Sequence, residues 1–141
     1  MADEPRVTPY LLYEDTNAAV DWLSRAFGFE EHLRFTNDDG LITHAELRLD
    51  DGVVFLGRPG ADYRNPKHLG AVTVGIHVYV DAVDAHYERA REAGAEILAE
   101  PADQDYGDRR YTAADLEGHY WFFAQHVRDV APEDWGAATT A

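Results

Sequence analysis

The chain repeats itself, and the repeat limits the folds open to it. Tyr13-Glu14-Asp15 and Tyr79-Val80-Asp81 each close an apolar run and open a helical pattern. The step from Asp15 to Asp81 is 66 residues, and at that step Gly28 falls on Gly94 and Asp51-Gly52 falls on Glu117-Gly118. Three landmarks in one register point to a duplicated supersecondary unit. Two such units side by side leave a cleft between them, and that cleft is where a ligand site is expected.

Each unit reads as β-α-β-β-β. In the first, Val7 to Tyr13 is a strand with Pro9 near its entry. Asp15, Thr16 and Asn17 supply helix-capping side chains, and Ala18, Ala19, Trp22, Leu23, Ala26 and Phe27 recur at helical spacing before Gly28 ends the helix. Trp22 and Phe27 are expected at the helix–sheet interface. Strands follow at 32–35, 41–49 and 53–56, parted by the turn signals Asn37 to Gly40 and Asp50 to Gly52. The second unit runs through a strand at 72–80, a helix to Gly94 and strands at 96–99, 110–114 and 119–125. The expected organisation is one α+β domain over 1–141: module one at 6–58, a polar linker at 59–70 able to touch ligand, module two at 71–127 and a tail at 128–141. The expected fold is a cupped eight-stranded mixed sheet.

Composition excludes several classes. No cysteine is present, which removes disulfide frameworks and thiolate sites. No apolar run reaches the length of a membrane span, and the acidic start Met1 to Pro5 lacks an apolar signal segment, so a cytoplasmic protein is expected. Acidic residues outnumber basic ones 27 to 12, for a net charge of −15. That balance argues against nucleic acid as a partner and favours neutral or cationic ligands, beside its plainer role in solubility.

Particular strings resemble a known family. Thr8-Pro9-Tyr10-Leu11, Arg25-Ala26-Phe27-Gly28, His44-Ala45-Glu46, Asp103-Gln104 with Tyr106-Gly107-Asp108-Arg109, and Gly118-His119-Tyr120-Trp121 with His126 are similar to the vicinal oxygen chelate superfamily, and within it to the PhnB-like branch. That superfamily includes glyoxalase I, extradiol dioxygenases, and fosfomycin- and bleomycin-resistance proteins. The resemblance implies two metal ligands from each module, one on its first strand and one on its last. Counted from Asp15, Asp81, Gly52 and Gly118, those positions are Thr8, Val74, Leu56 and Phe122. None offers the imidazole or carboxylate a divalent ion needs, so neither a metal nor another cofactor is expected.

By strand alternation Thr8 shares a face with Tyr10, Val74 with Ile76 and Val78, Leu56 with Val54, and Phe122 with Tyr120. The expected ligand-binding set is Thr8, Tyr10, Leu56, Val74, Ile76, Tyr106, Tyr120 and Phe122, an apolar wall with tyrosine hydroxyls. Trp121 and His77 are then expected on the helix side, and His32, His68 and His86 at the surface. The leading expectation is a metal-free protein that binds or sequesters a partly apolar, neutral or cationic small molecule, as bleomycin-resistance proteins do, and that forms a homodimer. The alternative is a lyase, isomerase or dioxygenase. It would use a non-standard metal site built from His44, Glu46 and His119 or His126, or metal-free proton transfer by Glu46, His44 or Tyr10. An exposed strand face is the plainer account of His44 and Glu46.

Overall fold

The computed structural model describes residues 4–140; the readings made on Met1 to Asp3 and on Ala141 lie outside it. The first module consists of β1 (Tyr10–Leu12), α1 (Thr16–Phe27), β2 (Glu30–Thr36), β3 (Ile42–Leu49) and β4 (Gly52–Gly57). A short α2 (Pro66–Leu69) interrupts the linker. The second module consists of β5 (Gly75–Tyr79), α3 (Val83–Glu92), β6 (Glu96–Asp103), β7 (Asp108–Ala114) and β8 (Tyr120–His126), followed by a single 3-10 turn at Pro132–Trp135.

The eight strands lie in two four-stranded sheets of matching order, β1-β4-β3-β2 and β5-β8-β7-β6. In each, the first strand runs parallel to the last and the other pairs are antiparallel. Pro9, which has no N–H to offer, accepts from Phe55 N at 2.9 Å and stands just before β1. The Asp15 carboxylate accepts from Ala18 N at 3.0 Å at the start of α1, and Gly28 closes that helix in the left-handed region at φ 85°.

Both helices pack on one side of their own sheet and against each other. A single core results, joining Leu23, Phe27, Leu47 and Leu56 of module one to Tyr111, Trp121 and Phe123 of module two. The Phe27 ring sits 4.6 Å from Phe123 and 5.3 Å from Trp121, centroid to centroid, and Trp22 donates from Nε1 to the Ala93 carbonyl at 2.9 Å. Trp22, Phe27 and Trp121 thus take the buried places expected of them.

The two modules repeat one another, but at their first strands, helix starts and last strands the step is one residue longer than the landmarks indicate. The first helical residues Thr16 and Val83 are 67 apart. So are the strand partners, with Tyr10 opposite Phe55 in module one and His77 opposite Phe122 in module two. The shorter α3 brings the step back to 66 from Gly28 and Gly94 through the next two strands, where Glu46 opposite Phe55 matches Thr112 opposite Phe122, and the longer turn before β8 restores 67. A shift of one residue along a strand turns every side chain to the other face. Ile76 and Val78 therefore pack toward the core, while His77 and Tyr79 are exposed, the reverse of the expectation for His77.

A buried polar clasp ties the modules together. Asp115 accepts through Oδ2 from Tyr13 Oη at 2.7 Å and Trp121 Nε1 at 3.0 Å, and through Oδ1 from the backbone N–H groups of Glu117 and His119. Burial beside Asp115 holds the Tyr13 phenol well above its ordinary pKa. Glu117 accepts from Glu14 N, Asp15 N and the Asn65 amide, and Glu14 accepts from Asn65 N and contacts His68 at 2.5 Å. The Asn65 backbone N–H and the His68 side chain hold the Glu14 carboxyl below its ordinary pKa. The linker is pinned to both modules by these bonds.

Candidate functional site

With the helices on one side, the other face of each sheet stands open. On the first sheet this face carries Tyr10 and Leu12 from β1, Phe55 from β4, His44 and Glu46 from β3, and Phe35 from β2 opposite His44. On the second it carries His77 and Tyr79 from β5 with Tyr120 and Phe122 from β8. These are large apolar groups left in solvent: Phe35 is 64% exposed, Tyr79 60% and Tyr10 50%. Exposed rings grouped on the uncovered face of a sheet make that face a candidate interaction surface.

A glycine on each sheet makes room for a ring to lie flat. A Cβ at Gly57 of β4 would meet the Tyr10 ring, and one at Gly75 of β5 would collide with the Phe122 ring. Phe122 also lies under the Arg110 guanidinium, 5.3 Å from ring centroid to Cζ. On the first sheet Tyr10 Oη is 2.6 Å from His44 Nδ1, and His44 Nε2 is 3.0 Å from Glu46 Oε2.

Two of the grooves along the boundary between the modules border the open faces. The larger encloses about 370 Å³ among Val7, Pro9, Val53, Ile76, His77 and Tyr79. The smaller, about 250 Å³, brings Tyr10, Leu12 and Val74 together with Tyr63, Leu69 and His119. Tyr63 reaches across the edge of β1 to donate to the Leu12 carbonyl at 2.9 Å. The linker around Tyr63 therefore forms one rim of this groove.

The expected ligand-binding residues divide by position. Tyr10, Tyr120 and Phe122 lie on open faces, and Val74 lines the smaller groove. Thr8 is half-buried just ahead of β1. Leu56 is corrected: it is fully buried and faces the core, because its parallel neighbour is Leu11 and not Tyr10. Ile76 is corrected in part, since its side chain packs on the core and only edges the larger groove. Tyr106 rests against Trp135 of the tail, 5.4 Å between centroids, and lines neither groove. Thr8, Leu56, Val74 and Phe122 therefore do not converge on one cleft.

The histidines divide as well. His68 is exposed, as expected, but His86 is half-buried: Tyr111 donates to its Nδ1 at 2.6 Å, and its Nε2–H donates to the Phe27 carbonyl at 2.8 Å. Burial pushes its pKa below the ordinary histidine value. His119 is buried and bonds the Leu12 carbonyl, fixing the turn before β8. His126 is held between Asp129 and Asp108, which raise its pKa.

The donor set does not fit the family's divalent ion. On the observed register the open-face partners on the first and last strands are Tyr10 with Phe55 and His77 with Phe122. Among the described residues no group of three or more His, Asp or Glu side chains is placed to hold a metal ion. His44 and Glu46 bond each other, and His119 and His126 are engaged elsewhere. Four features of the open face were missed in the sequence, namely Phe35, Phe55, Tyr79 and the gap at Gly57. The Phe55–Phe122 correspondence, read as a 67-residue step, is the signal that finds Phe55.

Known proteins share this architecture. The Glyoxalase/Bleomycin resistance protein/Dioxygenase superfamily matches residues 6–123. TioX from Micromonospora sp. ML1 is 36% identical, with a TM-score of 0.71 over 88% of this chain and 100% of that one. A glyoxalase/bleomycin resistance protein/dioxygenase from Nocardioides has the same fold at 20% identity, with a TM-score of 0.66 over 92% of this chain and 88% of its own. An uncharacterized protein of Mycobacterium tuberculosis (strain ATCC 25618 / H37Rv) is 36% identical over 143 residues, covering 98% of this chain and 84% of that protein. The chain belongs to the Glyoxalase/Bleomycin resistance protein/Dioxygenase superfamily.

Proposed function

We propose that this protein binds and sequesters a partly apolar, neutral or cationic organic molecule on the open faces of its sheets, without a metal. The observation that carries the reading is the set of exposed rings Tyr10, Phe35, Tyr79 and Tyr120, with the half-buried Phe122 beside them, in a chain of net charge −15. Rings bind flat molecules by area and by stacking, and the negative field draws cations toward them. The bleomycin-resistance part of the superfamily supports sequestration, and with it a role in antibiotic resistance. The strings around Tyr10, His44 and Tyr106 support the PhnB-like branch.

The same faces need a cover, and the proposed cover is a second copy of the chain. The smaller groove is below the usual 300–1,000 Å³ of a small-molecule site. A partner's open face laid against it would enclose a larger volume. No helix among the described residues is long and apolar enough to cross a membrane. The proposed setting is the cytoplasm.

A fluorescence titration tests the binding reading. A planar cationic acridine dye should bind saturably and an anionic anilinonaphthalene sulfonate weakly or not at all. Salt should slow capture of the acridine, because the Debye length falls from about 30 Å at 0.01 M to about 8 Å at 0.15 M. Preference for the anionic dye would count against the proposal.

A further inference from the structure

We propose that Tyr10, His44 and Glu46 form a proton relay, which makes Tyr10 a general base toward a flat, largely apolar molecule carrying one activated hydrogen. The inference rests on the binding reading above and adds chemistry to it. The three side chains come from strands that are not neighbours, Tyr10 from β1 and the other two from β3, with β4 between them. The β4 residue opposite His44 is Gly57. A Cβ there would lie 2.7 Å from Tyr10 Cε1. Its absence lets the phenol ring cross β4 and set Oη 2.6 Å from His44 Nδ1.

The two partners of His44 decide its tautomer. A carboxylate only accepts, so Nε2–H donates to Glu46 at 3.0 Å. Nδ1 then holds a lone pair and accepts the Tyr10 hydroxyl proton. That proton is directed across β4 toward His44, and the phenol oxygen of the half-exposed Tyr10 keeps a lone pair with which to accept. Phe55 stands edge-on to both rings, with centroids 5.6 Å from Tyr10 and 5.2 Å from His44, and Phe35 lies on the other side of His44 on β2. These rings select the flat, apolar substrate.

The step balances without an oxidant or co-reactant. The substrate hydrogen passes to the Tyr10 oxygen as a proton, and its bonding pair stays with the substrate. The phenolic proton moves to His44 Nδ1. The imidazolium so formed lies beside the Glu46 carboxylate, which stabilises it, and it returns its proton to the product or to solvent. Tyr10 is the catalytic residue; His44 and Glu46 position it and carry the proton.

The probe is 5-nitrobenzisoxazole, a flat apolar molecule with one activated C–H. Loss of that proton sends the C–H pair into the C–N bond and breaks the N–O bond, giving a coloured cyanonitrophenolate. The whole chain should open it at least about 100-fold faster than buffer at the same pH. Tyr10→Phe keeps the ring and should lose that excess. His44→Gln should lower kcat with KM unchanged, because the imidazole does not touch the probe. Imidazole ¹⁵N spectra, assigned by difference against His44→Gln, should show His44 as the Nε2–H tautomer. Full activity in Tyr10→Phe, an Nδ1–H tautomer, or saturable probe binding without ring opening would each overturn the relay and leave the binding reading standing. A probe that does not bind at all would overturn the substrate class proposed here, while the acridine titration judges binding on its own.

Discussion

Replacing Asp115 with Ala removes one carboxylate and orphans four donors: the Tyr13 hydroxyl, the Trp121 indole and the backbone N–H groups of Glu117 and His119. Buried donors left without partners cost about 1–3 kcal/mol each, so the variant should lose about 3 kcal/mol or more in urea denaturation. Tyr13→Phe leaves three of those four donors satisfied and should cost markedly less. His86 makes a second residue-scale prediction. Protonation of Nδ1 would reverse the Tyr111 hydrogen bond and place a charge in a half-buried setting, and burial holds the folded pKa below the unfolded one. The stability that neutral His86 contributes is therefore complete above about pH 6.5 and is lost as pH falls through the folded value. His126 acts with the opposite sign, since Asp129 and Asp108 raise its pKa and its contribution is lost as pH rises through the folded value. Between pH 7 and pH 5 the melting temperature of the native chain should decline relative to that of His86→Gln, in which the His86 contribution is gone. Parallel curves for the two proteins would remove His86 as the cause.

At the scale of single elements, the two helices are started by different means. α1 has its own cap in Asp15, whereas the residue before α3 is Ala82, which has no capping side chain. Gln125, on the far strand β8, accepts from Val83 N at 3.0 Å in its place. Gln125→Ala should then cost about 1 kcal/mol in denaturation, close to the cost of Asp15→Ala. A cost near zero would show that water replaces it. This long-range cap also explains where reading the sequence stopped. Local chemistry made most elements legible: Asp15 and Gly28 bracket α1, and Asn37 to Gly40 turns β2 into β3. The same chemistry misplaced β5 by one residue, because Asp81 looks like the cap of α3 and the true support comes from β8. That single residue exchanged Ile76 and Val78 for His77 and Tyr79 on the open face. Leu56 was misplaced for a related reason, since its face is set by pairing with Leu11 across a parallel ladder. His44 and Glu46 were visible as an alternating pair. Their link to Tyr10 was not, because it depends on the gap at Gly57 between strands far apart in sequence.

For the molecule as a whole, helices that share one core leave both sheets with an uncovered face, and the exposed rings on those faces are the basis of the proposed dimer. Analytical ultracentrifugation at tens of micromolar should find twice the 15.8 kDa chain mass. A monomer at every concentration would refute the dimer and leave each open face a site of its own. The central claim is that these faces hold an organic ligand, and Phe122 tests it most directly. Its ring rests over Gly75 and under Arg110, outside the core that Trp121 and Phe123 build on the same strand. Calorimetric titration of the acridine dye into the native chain and into Phe122→Ala should show a loss of about 1–3 kcal/mol of binding, with the melting temperature little changed. Unchanged affinity, or a variant that unfolds while whatever remains folded binds as before, would contradict the account by placing Phe122 in the core and the ligand somewhere else.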